Sequence, residues 1–195
     1  MPMPNTEKSL FETILARRSV RKFTSKKVES ATVSNLLEAA VRAPTALHQE
    51  PWAFVIIQDR QLLKTLSDQA KPVFLAKIHQ HRSEHEAQNL VMFDSPDFNL
   101  FYDANTLIVI CGKKAAPFFE ADCWLAAENL MLAACALDLG ACVIGSALPA
   151  FEIPAVKARL RIPDDYLSVA PIIIGYPDEN KTPTLRKSPL VFSRT

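Results

Sequence analysis

Apolar positions recur at helical spacing near the start of the chain. The pattern predicts a helix from about Thr6 to Ala16, with Asn5 or Thr6 as cap and Leu10, Phe11, Ile14 and Leu15 on its buried side. A cationic turn follows, Arg17-Arg18-Ser19-Val20-Arg21-Lys22-Phe23. A second helix is expected over roughly Thr32 to Arg42, because Ala43 precedes Pro44 and a residue before proline is pushed out of helical geometry. A loop from Pro44 to Pro51 leads into an apolar strand, Ala53 to Ile57. Asp59 can cap a third helix to about Ala70, and a more polar fourth is expected from Val73 to Gln88. Asn89 to Asp103 has no period and reads as a mobile loop or lid.

Thr106 to Ile110 is a short continuous apolar run, as expected of a strand buried on both faces. Ala121 to Leu139 is expected to be the longest helix, with Gly140 where a C′ glycine is wanted. That helix is apolar nearly all round, which places it in the centre of the assembly. A strand from Ala141 to Ile144 follows, then a helix with Pro154 in its first turn, then a strand from Val169 to Gly175. Pro171 inside that last strand predicts an edge or a bulge. The tail from Tyr176 to Thr195 is rich in Pro and Lys/Arg and has no core of its own. No repeat or linker divides the chain, so one domain, 1–195, is expected. Helices and strands mix without strict alternation, which favours α+β.

Composition narrows the function classes. A chain of 195 residues, 49% hydrophobic, can bury a sizeable core and still present an apolar oligomer interface. A formal net charge of +1 gives no reason to expect nucleic acid or an anionic membrane as partner. The apolar tract from Cys123 to Phe151 is broken by Glu128, Asn129 and Asp138 and does not read as a membrane span. Met1 to Lys8 lacks a charged region followed by an apolar run, and Cys111, Cys123, Cys135 and Cys142 have no C-x-x-C spacing. Reduced core thiols and the cytoplasm are the expectation.

The four glycines, Gly112, Gly140, Gly145 and Gly175, cannot form G-x-G-x-x-G or a P-loop. A phosphorylated cofactor would therefore have to be held by side-chain cations. Arg17-Arg18-Ser19-Val20-Arg21 offers them, since a guanidinium fork matches phosphate oxygens. The competing reading is a helix C-terminus decorated with cations that suit its dipole. A second feature is the ledge from Arg42 to Trp52, where a helix stopped by proline gives way to small and polar residues and then Pro-Trp. Such a ledge can hydrogen-bond the edge of a planar heterocycle, or simply connect a helix to a strand.

Together these features resemble the nitroreductase family of flavoproteins. The resemblance runs from Arg-Arg-Ser-Val-Arg-Lys-Phe23 and Arg42-Ala-Pro-Thr-x-x-x-x-x-Pro-Trp52 through Phe98-Asn-Leu-Phe-Tyr-Asp103 and Asp122-Cys-Trp-Leu-Ala-Ala-Glu-Asn-Leu-Met-Leu-Ala-Ala134. It continues in Leu139-Gly-Ala-Cys-Val-Ile-Gly-Ser146, Ile173-Ile-Gly-Tyr-Pro177 and Leu185-Arg-Lys-Ser-Pro189, nearly the whole chain in order.

The resemblance implies a mixed, largely antiparallel sheet flanked by helices, in an intertwined homodimer with two FMN at the interface. Arg17, Arg18, Ser19 and Arg21 then match the segment that holds the FMN phosphate and ribityl chain and reaches the pyrimidine edge. Pro44, Thr45, Ala46 and His48 match the loop contributed by the other subunit. Val143, Ile144 and Gly145 match the segment along the flavin ring, and Arg186 a C-terminal cation at the phosphate. Where the family commonly has Asn, a variable residue and Gln before Pro-Trp, this chain has His48, Gln49 and Glu50. His48 keeps a donor and an acceptor, whereas Glu50 adds an acid.

The implied reaction is ping-pong: NADH or NADPH reduces the flavin and leaves, and a small electron-poor aromatic or quinone-like acceptor takes its place. No side chain has to serve as nucleophile or base, because the cofactor carries the chemistry. The rival is a protein that binds FMN for storage or sensing without turnover. His79, His81 and His85 read as a solvated helix face, not as metal ligands, and Cys111 or Cys142 beside His48 as core packing, not as a nucleophile pair. Phe98, Phe101, Tyr102, Phe118, Phe119 and Trp124 read mostly as core, with one or two lining the acceptor pocket.

Overall fold

A computed structural model of the chain describes residues 8–79, 93, 95, 97–178 and 185–193. In order they form α1 (Leu10–Ala16), α2 (Ser30–Ala40), a 3-10 turn (Ala46–His48), β1 (Trp52–Ile57), α3 (Arg60–His79), β2 (Thr106–Lys113) and α4 (Phe119–Ala136). Then come β3 (Gly140–Val143), a second 3-10 turn (Gly145–Ala147), α5 (Leu148–Phe151), α6 (Pro154–Leu160) and β4 (Tyr166–Gly175). The strands make an antiparallel sheet in the order β1-β2-β4-β3. The α+β expectation holds, and among the described residues the one parallel pairing is an isolated bridge between Ser19 and Ala141.

Successive residues of β2 point to opposite faces, and both faces are covered. Ile108 and Ile110 join Leu36, Ala126, Ala127 and Leu130 in one core, against α2 and α4. Leu107, Val109 and Cys111 join Leu63, Leu66 and Phe151 in the other, against α3 and α5. Burial on both sides is why this strand reads as a continuous apolar run.

Several boundaries differ from the sequence pattern, each for a physical reason. Helix α1 starts at Leu10, because Ser9 forms a reciprocal capping box with Glu12. Its Leu10, Phe11, Ile14 and Leu15 are exposed, Phe11 at 76%, and only Thr13 is buried. The apolar stripe was correctly spaced but faces away from its own chain. Helix α3 runs through Pro72 to His79, so the break expected near Ala70 is absent. Contacts on both sides hold it: Lys71 Nζ donates to the Phe98 carbonyl at 2.9 Å, and the Phe74 and Phe93 rings meet at 5.1 Å. Asp59 caps this helix as expected, accepting from the Gln61 and Leu62 amides.

Helix α4 is two residues shorter than α3, so it is not the longest described. Its end is a Schellman turn in which the Leu139 amide donates to the Ala134 carbonyl at 2.8 Å and the Asp138 amide to that of Cys135 at 3.2 Å. The left-handed residue is Asp138 (φ 57°), which tolerates that region, and not Gly140. Lys8 locks the turn, donating to Asp138 Oδ1 at 2.5 Å and to the Cys135 carbonyl at 3.1 Å. Gly140 instead begins β3, opposite Gly175.

Strand β4 is interior, not an edge, and the bulge alternative is the one realised: register slips between Ile110 and Cys111, leaving Val169 unpaired. The Pro171 carbonyl accepts from the Ile144 amide at 2.8 Å. Its missing N–H therefore faces the β3 side, just beyond that strand's last residue. Among the described residues of the expected lid, Leu100 and Phe101 are fully buried, so its C-terminal part is core and not a mobile cover. No helix among the described residues is long and apolar enough to cross a membrane.

Candidate functional site

The basic segment is an extended strip along the sheet, not a loose helix end. The Val20 amide donates to the Ala141 carbonyl at 3.1 Å, the Thr24 amide to Tyr176 at 2.9 Å, and the Asp178 amide back to Lys22 at 3.0 Å. Two glycines permit this approach. A Cβ on Gly140 would lie 2.6 Å from the Val20 Cβ, and one on Gly175 would lie 2.8 Å from the Phe23 ring. Only Arg17 stands at the α1 C-cap, and the last turn of α1 holds no basic residue. The helix end therefore does not explain Arg21, whereas Arg18 reaches back to the Ala16 carbonyl in the last turn of α1.

Arg17, Arg18 and Val20 line a cleft of about 270 Å³ with Met131, Cys135 and Ala141. Arg17 Nε lies 3.6 Å from Glu128 on the outer face of α4. Arg18 Nη1 donates to the Ala16 carbonyl at 3.1 Å, but its buried Nε has no hydrogen-bond partner among the described residues. A buried guanidinium donor left unmade is costly, and an anion in the cleft would satisfy it. Ser19 is exposed on the same strip, and Arg21 lies further along it, over the Tyr102 ring. Val143 closes β3, the strand this strip accompanies; buried Ile144 follows it, and then Gly145, exposed, with open space where a Cβ would sit.

The ledge is a strained turn. Leu47 (φ 54°), His48 (φ 52°) and Glu50 (φ 44°) all adopt left-handed backbone without being glycine, which costs of order 1–3 kcal/mol each. The Ala46 amide donates to Asp122 Oδ1 at 3.1 Å, and the Glu50 amide to Thr45 Oγ1 at 3.4 Å. Pro44 and His48 are exposed, and Thr45 and Ala46 half-buried.

These two halves do not meet within one chain. Asp122 anchors the ledge in the first turn of α4, whereas Cys135 lines the cationic cleft thirteen residues later. At 1.5 Å per residue that is about 20 Å along the helix. Arg186 is exposed in the tail and also stands apart, with no polar partner among the described residues. The sequence reading gave Asp122 no role. It is one of two carboxylates, with Glu120, in the first turn of that helix, and it is the buried one.

The other candidates separate from the site. Cys111, Cys123 and Cys142 are buried, Cys135 is partly so, and all four are free thiols. Cys111 lies 3.8 Å from Ser168 Oγ in the core, while His48 is exposed on the ledge. The side chains of His79, His81 and His85 lie outside the described residues. Of the aromatic set, Phe101 is core, Phe98 and Tyr102 are half-buried, and Phe118 and Trp124 are exposed.

The family model described as the nitroreductase family matches residues 14–176. A protein of Methanothermobacter thermautotrophicus, provisionally named NADH dehydrogenase/NAD(P)H nitroreductase, is 26% identical over 175 residues, spanning 88% of this chain and 78% of its own. Iodotyrosine deiodinase of Thermotoga neapolitana is 24% identical over 191 residues, spanning 96% and 99%. The crystal structure of a nitroreductase with bound FMN from Bacteroides fragilis superposes with a TM-score of 0.75 at 26% identity, covering 95% and 96%.

Proposed function

Since this chain belongs to the nitroreductase family, we propose that it is an FMN-dependent oxidoreductase, working as a homodimer that oxidises NADH or NADPH and reduces small electron-poor aromatic or quinone-like acceptors. The observation that carries the cofactor assignment is the buried, unpartnered Nε of Arg18 in a cleft lined by Arg17. Arg17, Arg18, Ser19 and, from the tail, Arg186 would hold the phosphate. Arg21 would reach the pyrimidine edge, and Val143 to Gly145 would lie along the ring. FMN, when bound, supplies the two-electron chemistry between the nicotinamide and the acceptor; the chain binds, orients and excludes water.

The 20 Å between cleft and ledge supports a site built from two chains. In a two-fold dimer with antiparallel α4 helices, the ledge end of one helix lies beside the cationic end of the other. Leu10, Phe11, Ile14 and Leu15 on α1, with Trp124 and Leu125 on α4, are the exposed apolar surface such a dimer would bury. Pro44, Thr45, Ala46 and His48 then serve the partner's flavin. One domain spanning 1–195 and residence in the cytoplasm belong to the same reading, the latter in keeping with four free thiols.

Heat release and chromatography of the chromophore test this directly: FMN is expected, and FAD or no flavin would overturn it. Arg18→Ala should weaken FMN binding by about 1.5–3 kcal/mol, roughly tenfold to a hundredfold or more, read by fluorescence titration. Anaerobic NADH or NADPH should bleach the yellow protein. Colour that survives both would leave a flavin-binding protein without turnover. The deiodinase relative makes a panel of acceptors, halogenated phenols included, the appropriate assay.

A further inference from the structure

Arg21 is held differently from its neighbours. Arg17 faces Glu128, whereas Arg21 makes no ion pair among the described residues, although Asp97, Asp103 and Asp178 line the same pocket. Its guanidinium carbon lies instead 5.8 Å from the centroid of the Tyr102 ring. Tyr102 (φ 51°) and Asp103 (φ 53°) are both left-handed, a region that bulky side chains avoid.

Three hydrogen bonds close this turn. The Tyr102 amide donates to the Asn99 carbonyl, the Phe101 amide to Asn99 Oδ1, and Asn99 Nδ2 to Asp103 Oδ1, each at 2.9 Å. Leu100 and Phe101 are buried, and the Leu100 amide donates to Ser67 Oγ at 2.9 Å, so the turn is rooted in the core. Phe98 meets the Tyr102 ring edge-on at 5.4 Å and is backed by Phe93 at 5.2 Å. Strain kept in place by so many contacts holds the half-buried Tyr102 ring at the edge of the core and under a cation.

We propose that Tyr102 is the positioning residue of Arg21, fixing the guanidinium beside β3 without neutralising it. A carboxylate would hold the side chain but cancel its charge. A ring face attracts the cation through its quadrupole and leaves that charge free to act on a neighbour. Burial, the largest cause, pushes the Tyr102 phenol above its ordinary value of 10.0 against the lowering effect of the Arg21 charge and its hydrogen bond to the phenol oxygen, so the ring brings no charge of its own at neutral pH. The inference rests on the FMN reading above, in which Arg21 meets the pyrimidine edge. A fixed positive charge there favours the more negatively charged, reduced cofactor and raises its reduction potential.

The experiment measures the midpoint potential of the FMN-loaded full chain and of its variants, with circular dichroism as the check on folding. Tyr102→Asn and Tyr102→Gly remove the ring yet suit left-handed backbone, and Tyr102→Phe keeps the ring. The ring-less variants should shift the equilibrium toward oxidised cofactor at least tenfold, about 30 mV for a two-electron couple. Tyr102→Phe, which keeps the ring and loses only the phenol oxygen's contact with Arg21, should shift less than the ring-less variants, and Tyr102→Asn should add nothing in an Arg21→Met background. A folded, FMN-loaded ring-less variant with the wild-type potential overturns the proposal, and so does a shift that persists without Arg21. A wild-type chain that leaves FMN fluorescence unchanged on titration overturns the underlying cofactor reading instead.

Discussion

Asp122 accepts a hydrogen bond from the Ala46 amide at 3.1 Å, with its other carboxylate oxygen buried and unpartnered. This contact ties the ledge to the first turn of α4, where a carboxylate is also favoured by the helix dipole.

Asp122→Ala should therefore cost about 1.5 kcal/mol, the low end for a bond to a charged acceptor, because relief of the orphaned oxygen offsets part of the loss. Asp122→Asn keeps an oxygen for Ala46 and should stay within about 0.5 kcal/mol of wild type. Urea midpoints distinguish the two; an alanine variant as stable as wild type would mean the bond does not hold the ledge.

Gly140 makes a second prediction. Alanine there would meet all three side-chain carbons of Val20 within 2.8 Å and push the basic strip off β3. The expected cost is about 1–3 kcal/mol in denaturation, as for an overpacked core. Because the strip carries Arg17 and Arg18, FMN affinity should fall with it. Adding Val20→Gly removes the three nearest of the clashing atoms, so the double variant should lose less stability than the two single losses added together.

What could be read before the structure depended on how local each feature is. The run from Thr106 to Ile110, the apolar periodicity of α1 and the nearly all-round apolar content of α4 are properties of short stretches, and they located the elements. Which surface covers the α1 stripe is not local: the period marked Leu10, Phe11, Ile14 and Leu15 as needing a partner, but not that their own chain leaves them exposed. Pro72 signals a break by itself, and tertiary contacts at Lys71 and Phe74 override it. Gly140 and Asp138 lie two residues apart and either suits a left-handed cap; packing against Val20 claims the glycine for β3. Both halves of the candidate site were found from residue types. Their separation along α4 follows from the Ala46–Asp122 bond and the Ser19–Ala141 bridge, which join residues distant in sequence. Left-handed backbone at Tyr102 has no sequence signal at all.

The buried thiols predict an alkaline limit. Burial, the largest cause, pushes Cys123 from 9.0 up to about 12 and raises Cys111 as well. Below pH 9 these thiols are protonated in folded and unfolded chains alike, and their contribution to stability is fully present. Between pH 9 and 12 the unfolded chain releases protons that the folded chain keeps, so this contribution is lost as pH rises. Urea midpoints under reducing conditions should fall across that window, and less steeply in Cys123→Ala. An identical decline in the variant would show that Cys123 contributes nothing to it.

The central claim is that each flavin site draws Arg17 and Arg18 from one chain and the ledge from Pro44 to His48 from the other. The most direct measurement is the activity of a mixed dimer, purified through two tags, of one Arg18→Ala chain and one Thr45→Trp chain. Each parent homodimer should be nearly inactive, the first for lack of phosphate grip and the second because its ledge is blocked. With shared sites, one site of the mixed dimer collects both defects and the other is wholly wild type, so about half of the normal activity and one tightly bound FMN per dimer should return. A folded mixed dimer that recovers neither activity nor FMN would show that each chain completes its own site, and would contradict the account.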